Sequence, residues 1–181
     1  MNKLSLTIQG KYQDTLIKNG IEQKQEIKSN QVQLSALKLI SSLFKDTADL
    51  NGISHIALGS GDDTWDSLPN NKPNPMPTSN TTLTNEVFRK PIPSSNINFV
   101  DASGAFGQGA ISQTPTTRLR VEIEINGNEA IGSLREFGLF GGTATAIEDS
   151  GLMINWVAHP LIEKTDDLVL NRLIELDFIF A

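Results

Sequence analysis

Nucleophilic hydrolysis needs a serine or threonine beside a base. The 181-residue chain has two histidines, His55 and His159, and no cysteine. His55 lies in the apolar run Ile53 to Leu58 and reads as a packed core residue, while His159, just before Pro160, reads as a solvent-facing turn residue. There is no Gly-x-Ser-x-Gly elbow. Asp62, Asp63 and Asp66 gather around Trp65. Such a group could hold calcium or stack a sugar on the indole, but it lacks the glycine and distal glutamate of a helix-loop-helix calcium loop, and a polar turn is the simpler reading. Gly104-Ala105-Phe106-Gly107-Gln108-Gly109 has no Gly-Lys-Ser/Thr ending and reads as a turn or linker, not a phosphate loop. Arg118, Arg120, Glu122 and Glu124 form a two-sign ladder on one strand face, either a solvated surface or a register device against a neighbouring copy. No catalytic, cofactor-binding or metal-binding residue is assigned, no cofactor is expected, and the chain reads as a non-enzyme.

The elements around these residues are mostly strands. Leu4, Leu6 and Ile8 alternate, Gly10 breaks the strand, and Asp14 to Lys18 resumes it. That alternation is a strand pattern and not that of an export signal. Asn19-Gly20 is the dipeptide of a tight hairpin turn, and Ile21 to Ile27 returns. With Ser29-Asn30 as cap, Val32, Leu34, Leu37, Ile40, Leu43 and Phe44 recur at helical spacing, which predicts one amphipathic helix of about four turns. Ile53 to Leu58 reads as a buried strand. Six of the eight prolines then fall between Pro69 and Pro93, so residues 62–93 read as a long Pro/Asn-rich loop, an intersubunit arm or a disordered segment. Within it Leu83 to Arg89 is a strand or a single turn. Arg118 to Ile125, Ser133 to Phe140, Leu152 to Ala158 (Ile154, Trp156 and Ala158 on one face, ended by Pro160) and Leu168 to Phe180 alternate as half-buried antiparallel strands. The expected fold is α+β and mostly β: antiparallel, sandwich-like sheets with an N-terminal hairpin, one helix and one long loop. Residues 1–181 read as a single domain, with hairpin and helix in 1–50 and the final strands in 116–181.

Composition narrows the function classes. Fifteen basic against twenty-one acidic residues give a net charge of −6, no footprint for nucleic acid. Twelve acidic and five basic residues lie from Asp101 onward, so that half carries −7 against +1 for the rest. No run approaches the roughly 18 apolar residues of a membrane-spanning helix, so no membrane insertion is expected.

Several segments, in order, resemble a family of tailed-phage tail proteins found in tail fibres, collar fibres and baseplates. These are the hairpin with Ser29-Asn30-Gln31-Val32 and the helix Ala36 to Phe44; Ile53 to Gly61; Thr82 to Arg89; Leu134-Arg135-Glu136-Phe137-Gly138-Leu139-Phe140-Gly141; and Glu163 to Arg172. Glu136 and Arg172 are then either a buried ion pair or two surface residues. The loop Thr64 to Thr81 is longer than in the family and no repetitive shaft follows the last strand, which points to a short adaptor. The resemblance implies a structural virion protein in a tail or baseplate, assembled in the host cytoplasm. It implies a homo-oligomer, by analogy with tail fibres a trimer, that docks fibres or other tail proteins. A phage-tail-like contractile injection system would use the same kind of part. The alternative is a host-surface glycan-binding module of a tail fibre, with Tyr12, Trp65 and Trp156 as stacking candidates.

Overall fold

The computed structural model describes residues 5–47 and 50–180; the expected place of Leu4 lies outside them. Among the described residues the chain forms eleven strands, paired antiparallel throughout, and one α-helix. The fold is α+β, mostly β and sandwich-like. In chain order the elements are β1 (Leu6–Lys18), β2 (Ile21–Lys24), β3 (Lys28–Val32), α1 (Leu34–Phe44), β4 (Asn51–Gly59), β5 (Glu86–Pro91), β6 (Ile97–Val100), β7 (Ile111–Ser112), β8 (Arg118–Ile125), β9 (Gly132–Gly142), β10 (Leu152–Lys164) and β11 (Leu168–Phe180). Spatially they run β5-β4-β9-β10-β3-β1-β11-β8-β6-β7, with β2 on the side of β1.

The middle of this order is where the sheet folds over. β3 pairs through Lys28–Asn30 with β1 and through Gln31 and Val32 with β10. It therefore joins sheet I (β1, β2, β11, β8, β6, β7) to sheet II (β10, β9, β4, β5). The inner faces share one core: Tyr12, Val121, Ile123, Leu170 and Ile174 from sheet I meet Ile56, Leu58, Phe137, Leu139 and Val157 from sheet II. Burial of alternate residues on both sheets is the main stabilising term. The outer face of sheet II carries a second core of Ala57, Phe140, Met153, Trp156 and Ala158, covered by Trp65, Leu83 and Met76. Sheet II is thus buried on both faces, which is why Leu134 to Gly142 of β9 is continuously buried.

Gly10 does not break the first strand. β1 runs unbroken from Leu6 to Lys18, all paired with β11. The glycine is needed because Asn30, its partner on β3, lays its amide over that position and a Cβ there would collide with it. The Asn19-Gly20 turn forms as expected, with φ of 52° and 75° at the two residues. The returning strand stops at Lys24, short of Ile27, and Ser29-Asn30 belongs to β3 instead of capping a helix.

The helix is shorter than expected, eleven residues or about three turns. Gln33 is its N-cap and makes no side-chain cap bond; the Leu34 amide donates instead to the Thr78 carbonyl at 2.8 Å. β10 also differs. Its pairing with β9 shifts between Met153 and Asn155, so Ile154 is an extra residue. One extra residue flips the faces of a strand. Ile154 therefore enters the inner core, whereas Trp156 and Ala158 face outward. Pro160 does not end β10 either. It sits in a second shift, between Ala158 and Ile162, where its missing N–H costs no ladder bond.

Gly10→Ala is expected to lower stability by about 1–3 kcal/mol through overpacking against Asn30. A urea midpoint equal to that of the wild type would show that the Asn30 amide is free to swing aside.

Candidate functional site

The residues singled out for chemistry are scattered and mostly hold the fold together. Asp62 caps a 3₁₀ turn at Asp63–Ser67, accepting from the Thr64 amide at 2.9 Å and hydroxyl at 2.7 Å, which holds its carboxyl below the usual range. Trp65 is buried edge-on against Trp156, with ring centroids 6.4 Å apart. Asp66 takes a two-pronged bond from Arg135, Nε at 2.9 Å and Nη2 at 2.7 Å, and this bond lowers its pKa. No group of three or more potential ligands able to hold a metal occurs among the described residues. The Gly104–Gly109 segment forms turns over sheet I, where the Gly107 amide donates to Glu175 at 3.2 Å.

Residues 62–93 pack on the body as two short 3₁₀ turns, a connecting segment and β5. Gln31 Nε2 donates to the Met76 carbonyl at 2.6 Å, and Leu83 is buried against sheet II. Of the segment Leu83 to Arg89, only Glu86 onward is strand.

Both histidines differ from expectation. His55 is half-buried, not core, and its Nδ1 lies 3.0 Å from the Ser54 hydroxyl. Burial, and to a lesser degree Arg89, lowers its pKa. Among the described residues no carboxylate orients this pair, so it lacks the third member of a nucleophilic triad. His159 is 3% exposed and lies within β10, on the inner face it shares with Val157 two residues earlier. Its ring is 6.2 Å from Phe137, and Nδ1 lies 2.8 Å from the Pro160 carbonyl. A carbonyl only accepts, so Nδ1 carries the proton in the neutral ring and Nε2, without a partner, is a bare acceptor.

Around His159 lies a cluster of ionisable groups inside the shared core. Asp14 of β1 accepts from Nε and Nη2 of Arg172 on β11, both at 2.7 Å. The guanidinium carbon sits 3.6 Å from the ring centre of Phe137, and the Tyr12 ring meets Phe137 edge-on at 5.1 Å. Burial, with a smaller opposing effect of Arg172, pushes the Tyr12 phenol up to about 12. The sequence pairing of Glu136 with Arg172 is therefore replaced. Both are buried, but Glu136 accepts from Trp156 Nε1 at 2.7 Å and the Asn85 amide at 2.9 Å, on the opposite face of sheet II. The charged ladder of β8 is also split: Arg120 bonds Glu175 of β11 at 2.9 Å and Arg118 bonds Asp177, while Glu122 and Glu124 stay exposed. Its basic half is thus satisfied within the chain by cross-strand partners.

The surface feature that sequence reasoning missed is the orientation of α1. It buries Ser35, Ala36 and Leu39 and exposes Leu34, Leu37, Leu43 and Phe44, the last 88% exposed. The cause is the first bulge of β10. Its Met153 carbonyl accepts the Ser35 hydroxyl at 2.5 Å and its Ile154 carbonyl the Gln33 amide at 2.9 Å. Those bonds require close approach, which small side chains allow. Helical spacing shows that an apolar stripe exists, not which side of it meets the core.

Removing one partner of a buried ion pair leaves the other charge uncompensated, at a cost of about 3–5 kcal/mol. Asp14→Leu is expected to cost that much, and the double variant Asp14→Leu/Arg172→Met less than the single, both read by chemical denaturation. A double variant worse than the single would show that packing of the guanidinium on Phe137, not charge pairing, dominates.

Burial, helped by Arg172, lowers the His159 pKa from 6.5 to about 4; Asp14 opposes this. Because the folded state binds fewer protons there than the unfolded chain, stability present above pH 6.5 is lost as pH falls toward 4, by about 3 kcal/mol in all. His159→Phe should flatten this window of the stability–pH curve. An unchanged slope would assign the window to other groups.

Neither a protein-family model, nor a curated protein, nor a solved structure matches the chain.

Proposed function

We propose that the chain is a structural component of a phage tail, a baseplate or tail-fibre adaptor that oligomerises and docks other tail proteins. The observation that carries this reading is the outward apolar face of α1. An eleven-residue helix that leaves three leucines and a phenylalanine exposed to solvent is costly in a free monomer and useful in an assembly. The resemblance of the ordered segments to tail proteins supplies the setting, and a trimer is the expected stoichiometry. A phage-tail-like contractile injection system fits the same features.

The glycan-binding alternative loses its first candidates. Tyr12, Trp65 and Trp156 are all buried, and a sugar cannot stack on rings that already face each other or the core. No other observation favours it over the adaptor reading.

The test is immunogold labelling of tails and tail-like particles from the source culture with an antibody raised against the purified chain. Label at the baseplate or fibre attachment is expected. Particles of intact morphology that carry the chain nowhere would sink the proposal.

A further inference from the structure

The outer face of sheet I carries a groove of about 360 Å³ over β1, β11 and β8. Two cross-strand rows floor it: Gln13, Leu173 and Glu122, and Thr15, Asn171 and Glu124. Glu122 and Glu124 are exposed, and neither carboxylate has a partner among the described residues. Lys24 stands on the opposite wall. The groove is therefore polar and net acidic, with an apolar side chain in its floor.

We propose that this groove receives the outward face of α1 from a second copy of the chain. The proposal rests on the reading of the protein as an assembly component and names the contact it uses. Charge complementarity points to the occupant. The outward face of α1 carries Lys38 beside Leu37 and Phe44 and holds no carboxylate; Lys45, the C-cap, and Asp46 lie in the turn that follows. Lysines bordering an exposed phenylalanine match carboxylates bordering a groove with a leucine in its floor. One copy cannot satisfy itself. Ala36 and Leu39 point from α1 into the core between the sheets, so Phe44 points away from it, whereas the groove is on the far side of sheet I.

Two different surfaces meeting make a head-to-tail contact, which closes into a ring when the rotation permits. A ring of three is the assembly this contact is proposed to build. A single short helix buries less than the roughly 800 Å² per partner of a standard interface, so the association is concentration-dependent.

The experiment is light scattering on the full chain over a wide concentration range, with four variants. Phe44→Ser, the pair Lys38→Glu/Lys45→Glu and the pair Glu122→Lys/Glu124→Lys are each expected to weaken self-association roughly tenfold or more. All these side chains are exposed, so melting temperature should not move. Combining the two charge-reversed pairs in one chain should restore association. A monomer at every concentration overturns the proposal, as does association that either reversal leaves intact or that the combined variant fails to recover. Tails that carry the antibody label while the isolated chain stays monomeric would overturn this contact and leave the adaptor reading standing, with another tail protein on α1.

Discussion

The guanidinium of Arg172 is the point through which the two sheets are tied. It is only 2% exposed, it holds the Asp14 carboxylate of the next strand with two 2.7 Å bonds, and its face lies on the Phe137 ring of the opposite sheet. An arginine suits this place because its flat fork bonds sideways and stacks at the same time, which a lysine cannot do. The consequence reaches along the strands. Asp14 and Arg172 are partners in the thirteen-residue register of β1 on β11. A slip of β1 by one residue would turn Asp14 to the outer face and leave Arg172 buried without its partner, so the buried ion pair penalises that wrong register. Tyr12 and His159 then take their places around the same ring of Phe137, held neutral by their burial.

Sheet II is organised by a second buried carboxylate and by two bulges. Glu136 joins β9 to Trp156 on β10 and to the end of the long connecting segment at Asn85. It fits only because Gly59 on the neighbouring strand has no side chain: a Cβ there would lie 2.6 Å from the glutamate. The bulge at Ile154 offers two free carbonyls, and α1 docks on them through Ser35 and Gln33. One inserted residue thus sets the close approach of the helix and, through it, the exposure of its leucines and Phe44. The cost of that exposure is a consequence of strand geometry, not of a poor helix sequence.

Much of this architecture is legible in the residues, and the unread parts share a cause. β8 and β11 stand where alternation places them, and the Asn19-Gly20 turn forms because only residues tolerant of positive φ fit there. Alternation fails at β10, where a bulge moves Ile154 to one face and leaves Trp156 on the other. No local pattern marks that insertion, since the partner strand β9 decides it. The same holds for His159, whose neighbours in sequence are a turn signal but whose neighbours in space are Phe137 and Arg172. Gly10 reads as a breaker because the reason for it, the Asn30 amide, arrives from twenty residues away along the chain. The Pro/Asn-rich segment reads as an arm because its proline pattern forbids helix without showing that Trp65, Met76 and Leu83 pin it to sheet II.

The asymmetry between the two sheets decides which surfaces are left open. Sheet II is sealed: its outer face is roofed by Trp65, Leu83 and the turns that carry them, and its polar ends are closed by Arg135 with Asp66 and by Arg89 with Glu86. The basic half of the β8 ladder is likewise satisfied at home. Among the surfaces that stay open are the acidic half of that ladder, on sheet I, and the lysine-bordered apolar face of α1 on the far side of the core. A chain that leaves one acidic and one basic-apolar surface unmatched has unmet interactions at two distinct places. Two unlike surfaces of opposite sign favour ordered head-to-tail contact over face-to-face pairing, because each repels its own kind.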